Sequence, residues 1–383
     1  VSVLSLNLFG IELTGGGNLP EGGFAGSQFI GTEGQLRRTM ARKGGNMMKS
    51  KWRIVGVVVA LAVLAVTAGT ALAAEYEWRI GHIRPEGTDI DRDVKWLVEK
   101  INEESNGRIV FEIYPASQLG DYTVVQERVS MGAVESQLAC LGTTVSKELN
   151  LPAAPYLATN YEEAQVLFSP GGAVYEKVAQ ILEEKENIHL ISGWPSYFGG
   201  IGMVKEVPAP TDPNVPKNAK IRVPPIKSFE LTAEALGYQA TPVPWAEVFT
   251  SLQTGIVDGV IGGGAEGYYA DFRDLLNYYH AVNDHFEMWW WYMNKDLWDS
   301  LSEEDQKLLT KLGRELEARR WAEAPESEKK NMQRLADEGV EIITFTDEEL
   351  EIIAEKVRTE VWPNIKRDIG ESVYEEVMVP LMK

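Results

Sequence analysis

Cysteine is almost missing from this chain: Cys140 is the only one among 383 residues. An intrachain disulfide is therefore excluded, as is any cysteine-based zinc cluster, and the fold must rest on its apolar core alone. Histidine is nearly as scarce, with four residues, and His280 and His285 lie five apart around Asn283-Asp284, which is not a helical metal spacing. No metal or organic cofactor is expected: Glu266 and backbone carbonyls could supply oxygen ligands to calcium, but the sequence gives no positive sign of it. Positive charge is also in deficit, with 37 Lys and Arg against 57 Asp and Glu, a formal net charge of −20. So acidic a surface argues against nucleic acid and anionic membranes as partners. Internal repeats and low-complexity segments are lacking beyond residue 74.

What is present begins with one long apolar run. Residues 48–74, MKSKWRIVGVVVALAVLAVTAGTALAA, pair a basic start (Lys49, Lys51, Arg53) with an apolar stretch and an A-x-A site at Ala71-Leu72-Ala73. That order of features predicts a cleaved secretory signal and a periplasmic protein. A membrane anchor fits less well, because Thr67, Gly69 and Thr70 dilute the run and Glu75 and Glu77 follow with no basic stop-transfer cluster. Residues 1–47 are Gly-rich and aperiodic, with the natural start expected at Met47 or Met48, and are set aside from fold reasoning. Residues 1–74 carry seven basic and three acidic side chains, so their removal takes the net charge from −20 to −24 and leaves about 309 residues, enough for two lobes.

Beyond residue 74 strand and helix patterns alternate, the signature of an α/β fold. Strands are expected at 76–83, 108–114, 135–140, 187–193, 220–224, 238–244, 259–263 and 287–294. Between them lie helical patterns, one capped by Thr88 or Asp89 with Ile90, Val94, Leu97 and Ile101 along its inner side. From about Ser302 long charged helices take over, SEEDQKLLTKLGRELEARRWAEA and DEELEIIAEKVRTEVW.

Several residues stand out against this grammar. In AKIRVPP (219–225) Arg222 sits inside a β-branched run that Pro224 closes, placing a guanidinium where a strand must stop. His82 and Arg84 follow the first strand, where open α/β sheets hold ligands, and Gly142 and Thr143 follow the third. Gly262, Gly264 and Gly267 satisfy G-x-G-x-x-G, with Glu287 at a distance suited to a ribose contact. In a secreted protein the plainer reading is backbone room beside a ligand and N–H donors at a helix start. The aromatic run EMWWWYMN cannot turn all three tryptophans to one side of a strand, so Trp289 or Trp290 is expected at a cleft. Trp194, Tyr197 and Trp245 are further aromatic candidates at strand or helix ends.

The ordered blocks YPASQLG (114–120), KIRVP (220–224) and LQTGIVDG (252–259), with LPAAPYLATNYEEAQVLF and MNKDLWDSLSEEDQKLL, resemble the solute-binding subunit of tripartite ATP-independent periplasmic (TRAP) transporters, over nearly everything from Glu77 onward. The resemblance implies two α/β lobes joined by crossing strands, with a long C-terminal helix spanning both. The expected divisions are 75–195 for lobe 1, 196–287 for lobe 2, and 288–383 for a returning strand and the long helices. It implies a monomeric receptor, not an enzyme, that delivers an organic acid to integral membrane subunits. It also matches Arg222 to the arginine that pairs the ligand carboxylate. Ligand contacts are expected from Arg222, His82, Arg84, Gly142, Thr143, Trp194, Tyr197, Trp245, Gly263, Glu266, Trp289 and Trp290. Many members carry a second arginine in a Gly-aromatic-Arg pattern before the KIRVP block. Here that stretch is YFGGIGMV (197–204), and VIGGGAEG (260–267) fills a loop that often supplies Asn or Glu. The expectation is therefore a single cationic anchor and a monocarboxylate with an aromatic or hydrophobic body, with a C4-dicarboxylate as the alternative. The competing class is a secreted α/β enzyme acting on a small carboxylate, which turnover of a bound acid would reveal; a sensor subunit is a third reading.

Overall fold

The computed structural model describes residues 74–382, so the expected leader lies outside the described residues except for Ala74. In chain order the first lobe takes β1 (Tyr76–Gly81), α1 (Asp89–Glu104), β2 (Ile109–Tyr114), α2 (Tyr122–Ser130), β3 (Ser136–Ala139), α3 (Tyr161–Phe168), α4 (Ala173–Glu186) and β4 (Ile188–Phe198). The second takes β5 (Gly200–Met203), β6 (Lys220–Val223), α5 (Lys227–Ala235), β7 (Gln239–Pro242), α6 (Val248–Gln253), β8 (Gly259–Gly263), α7 (Ala265–Phe272) and β9 (Tyr278–His280). The chain then returns through β10 (Phe286–Asn294) and ends in α8 (Lys295–Ser300), α9 (Glu303–Asp337), β11 (Glu341–Ile343) and α10 (Asp347–Ile369), followed by short irregular turns.

Two sheets result, ordered β2-β1-β3-β10-β4 and β11-β9-β5-β8-β6-β7. β1 runs parallel to β2 and β3, while β10 is antiparallel to β3 and β4. In the second sheet β6 is parallel to β7 and β8. The chain crosses between sheets three times: at Gly199 between β4 and β5, over residues 281–285 between β9 and β10, and through α8 and α9 between β10 and β11. The first two crossings touch: a Cβ on Gly199 would lie 2.2 Å from His285 Nδ1, so only glycine fits there.

The helical periodicity of α1 is used as the sequence suggests, with Ile90, Val94, Leu97 and Ile101 all fully buried. Each such side chain contributes roughly 1.5–3 kcal/mol against leaving it in water, an upper figure because the unfolded chain already hides some apolar surface. β4 runs on to Phe198, past the expected end near Gly193, and contains Pro195. It lies at the sheet edge, where a residue without an N–H is tolerated. The 35 residues of α9 span about 52 Å at 1.5 Å per residue. It packs on β4 and α1 of the first lobe and on α7 and β11 of the second. Its start is fixed by Ser302, which accepts the Asp305 N–H, and by the Arg108–Asp305 pair at 2.6 Å. Pro325 lies inside α9 and removes one ladder donor, yet the helix continues to Asp337. α10 opens with a capping box of Thr346 and Glu349 and packs on α5. Among the described residues no helix is long and apolar enough to cross a membrane.

Candidate binding site

The carboxyl ends of β1, β3, β4, β6 and β8 point toward one cleft between the sheets, holding about 540 Å³ of space between atoms including its open mouth. From the first lobe it is lined by Arg84, Tyr122, Cys140, Tyr197 and the start of β10, Glu287 to Trp290. From the second come Arg222, Pro224, Phe229, Trp245 and Gly262. A concave, largely apolar cavity with several aromatic side chains and few polar groups is the usual form of a small-molecule site.

Arg222 is held as its local sequence implies. β6 pairs Arg222 with Thr241 and Val260, then Pro224 ends the ladder. The side chain is 1% exposed, and its Nε donates to the Val243 carbonyl at 2.7 Å and its Nη1 to the Ile261 carbonyl at 3.2 Å. Two neutral acceptors thus orient the guanidinium, and Nη2 is engaged by nothing among the described residues. Burial pulls Arg222 below its ordinary pKa; Asp121 is felt at a distance but forms no ion pair with it.

The sequence put a second cationic anchor in doubt because 197–204 carries no arginine. A second guanidinium nevertheless lines the cleft, from the loop after β1: Arg84, already among the expected ligand contacts, is also 1% exposed. Its Cζ lies 4.2 Å from the Trp245 ring centre and 5.1 Å from that of Trp289. Its polar contacts are long, 3.5 Å from Nη1 to Asp271 Oδ2 and 3.5 Å from Nη2 to the Tyr197 hydroxyl, and Nε has no partner. Burial lowers the Arg84 pKa, but Tyr197, Asp271 and Glu266 outweigh it and the net shift is upward. Trp245 stands between the two cations, 5.3 Å from Arg222 Cζ, and its indole N–H donates to Asp271 Oδ2 at 3.2 Å.

The glycine motif serves this packing. A Cβ on Gly267 would lie 2.4 Å from Arg84 Nη2, and one on Gly264 would lie 2.3 Å from the Tyr197 ring. The space a dinucleotide phosphate would need is thus filled by Arg84 and Tyr197.

The cleft brings together Arg222, Arg84, Tyr197, Trp245, Trp289 and Trp290 from the expected set. The others lie outside its lining. His82 is buried 3.5 Å from Asp91, and burial pushes it down to about 4. Trp194 donates to Asp93 Oδ2 at 2.8 Å beneath Arg320. The Gly142 N–H is held by Gln126 Oε1 at 2.7 Å, with Thr143 half-buried beside it. Gly263 lies under Tyr268 and Trp245. Glu266 accepts the Asp89 N–H at 2.8 Å, capping α1 from the opposite lobe where Thr88 makes no side-chain cap. Sequence reasoning missed Tyr122 and Phe229 as lining, and considered Glu287 only as a ribose contact; its place beside the tryptophans was the available signal. The Cys140 thiol is pushed well up, by burial first and by Glu287 second, which suits wall rather than nucleophile.

Known proteins place this geometry in context. Residues 80–368 match the family model described as bacterial extracellular solute-binding protein, family 7. A solute-binding protein of Roseobacter denitrificans is 26% identical over 258 residues, 66% of this chain and 77% of that one. The C4-dicarboxylate-binding periplasmic protein DctP of Rhodobacter capsulatus is 25% identical over 323 residues, 83% of this chain and 95% of that one. A TRAP periplasmic solute-binding protein from Desulfovibrio salexigens, solved with bound orotic acid, superposes with a TM-score of 0.72 at 21% identity, covering 79% of this chain and 97% of that one. With two α/β lobes about an arginine-bearing cleft and a family match over most of its length, this chain belongs to family 7 of the bacterial extracellular solute-binding proteins, the substrate receptors of TRAP transporters.

Proposed function

We propose that this receptor captures an organic monocarboxylate with an aromatic or otherwise flat apolar body, its carboxylate paired with Arg222, and presents it to TRAP membrane subunits in the periplasm. One observation carries the reading: a guanidinium 1% exposed, oriented by two backbone carbonyls, with no ion-pair partner among the described residues. Removing such a cation from water is costly unless an anion arrives, and a carboxylate offers two oxygens matched to its planar donors. Arg84 Nε and Trp289 Nε1 add two buried donors without partners on residues of the cleft wall. Trp245, Trp289, Trp290, Tyr122, Tyr197 and Phe229 supply ring faces, each offset or edge contact with a ligand ring adding about 0.5–1.5 kcal/mol beyond burial. Orotic acid, bound by the Desulfovibrio salexigens protein, is a flat ring with one carboxylate.

A C4-dicarboxylate is the second reading, favoured by Arg84 as a second guanidinium and by the ligand named for the Rhodobacter capsulatus relative. Two features weigh against it: Arg84 already has Asp271 beside it, and Glu287 adds negative charge to the wall. The family is one of binding proteins, and we read this member as a monomer that binds without chemistry. A thermal-shift panel of carboxylates tests the assignment, since a ligand that binds only the folded state raises the melting temperature by mass action. Stabilisation by aryl or branched monocarboxylates, recovered unaltered from the protein, is expected. Stabilisation by succinate or malate alone would replace the reading with the second, and turnover of the bound acid would replace it with an enzyme.

A further inference from the structure

Glu287 puts a carboxylate into the wall of a cleft otherwise furnished for anions. It is the second residue of β10 and lines the cleft beside Met288, Trp289 and Trp290, with its side chain 12% exposed. A register shift between Glu287 and Met288 interrupts the β10–β4 pairing here, and such irregularities re-aim side chains at strand ends. Its Oε2 accepts from His285 Nε2 at 2.9 Å, while His285 Nδ1 donates to Asp284 Oδ2 at 2.6 Å. His285 and Asp284 are both buried, and the imidazole ring is fixed edge-on to Phe229 at 4.8 Å and against the Gly199 crossing. Burial opposes charge on that ring, but Asp284 and Glu287 outweigh it and push His285 up to about 10. Two carboxylates sharing one imidazolium leave one net negative charge in the group.

The remaining oxygen, Glu287 Oε1, has no hydrogen-bond partner among the described residues. Neither Arg84 nor Arg222 forms an ion pair with Glu287; the nearer carboxylate to Arg84 is Asp271. The cleft therefore carries an oriented acceptor that its own cations do not consume. A ligand with a second anionic end would meet repulsion at this wall, and a purely apolar end would leave Oε1 desolvated without a partner. A hydroxyl or N–H would satisfy it with a charge-assisted hydrogen bond. We infer that Glu287, held in place by His285 and Asp284, is a specificity-determining residue selecting carboxylates that carry an O–H or N–H donor on the part not held by Arg222. This rests on the carboxylate reading of Arg222 and narrows it.

Matched acids test the inference by calorimetry: indole-3-acetate against naphthalene-1-acetate, and 4-hydroxyphenylacetate against phenylacetate, each pair differing in the donor. The donor-bearing member is expected to bind roughly 10- to 100-fold more tightly to wild type, the range of a hydrogen bond to a charged group. In Glu287→Leu that ratio should collapse toward one. Glu287→Gln, which keeps an acceptor and guards against a folding defect in the leucine variant, should retain part of it. Equal affinity within every pair for wild type, or an undiminished ratio in Glu287→Leu, would overturn the role of Glu287 while leaving the Arg222 reading standing. Failure of wild type to bind any carboxylate would remove that parent reading first and this one with it.

Discussion

Arg222 and Arg84 are equally buried, face one cleft and share Trp245, yet they sit in opposite electrostatic settings. Arg222, in the second lobe, is held by neutral carbonyls, and burial leaves its pKa lowered. Arg84, in the first, has Asp271 and Glu266 across the cleft and two indole faces around it, and its pKa is raised. The difference separates two tasks a buried cation can have. One is compensated by the protein and helps hold the lobes together; the other is left for a ligand to compensate. Counting arginines would miss this, because the deciding quantity is what already neutralises each one.

The sharpest way to break the comparison is to remove the uncompensated cation. Arg222→Ala is expected to weaken binding of the best carboxylate from the panel by about 2–5 kcal/mol, the usual cost of truncating one side of a buried charge pair. Arg222→Lys should recover only part, since an ammonium cannot make two parallel bonds to a carboxylate. Calorimetry that finds Arg222→Ala within a few-fold of wild type would place the ligand's charge elsewhere.

Unliganded stability should then separate the two residues by sign. Arg222→Met replaces an unpaired buried charge by an apolar chain of similar length, so its melting temperature is expected to equal or exceed that of wild type. Arg84→Met strands Asp271, whose carboxyl burial already raises while Arg84 lowers it, and is expected to cost about 1–3 kcal/mol. Denaturant melts of the two variants moving in the same direction would erase the distinction drawn here.

Trp245 is the element common to both settings, and its effect should be intermediate. Trp245→Leu removes an indole face from both guanidiniums and a hydrogen bond from Asp271, so a loss of about 1–2 kcal/mol in binding is expected. A titration showing no loss would assign Trp245 to packing against Phe272 alone.

These contrasts also mark where the sequence stopped being informative. Arg222 was legible because its whole setting is local: a β-branched run, a proline, and a strand that must end there. The partnership of Arg84 was not, because Asp271 is 187 residues away and only the closing of two lobes brings it near. Trp194 and Trp289 looked alike as aromatic residues near strand ends, but Trp194 is turned inward onto Asp93 while Trp289 reaches the cleft. The register shifts that interrupt the β10–β4 pairing leave no trace in an alternation pattern. β5, β9 and β11, at four, three and three residues, are too short to show a period.

The smallest expected effect concerns the cross-cleft contact of Glu266, which tests whether compensation around Arg84 also controls closure. Glu266 accepts the Asp89 N–H at the start of α1, so a side chain of one lobe caps a helix of the other. Burial, and next Asp89, raise its pKa despite the nearby Arg84 and Arg320. A carboxyl whose pKa is higher in the closed form favours closure fully below its solvated value of about 4.3, and that contribution fades as pH rises through the raised value. Closure should therefore be slightly easier in mild acid, and carboxylate affinity should fall a few-fold as pH is raised from about 4.5 to 7, as the binding-competent fraction shrinks. Glu266→Gln keeps an acceptor for the Asp89 N–H but cannot titrate, so its affinity should stay near the wild-type value at low pH across that range. Small-angle scattering of the unliganded proteins provides the independent reading: wild type should expand slightly with pH and Glu266→Gln should not. If both proteins show the same pH dependence of affinity and size, the contact caps a helix without gating the cleft, and Arg84 with Asp271 would be left as the cross-lobe ion pair to test next.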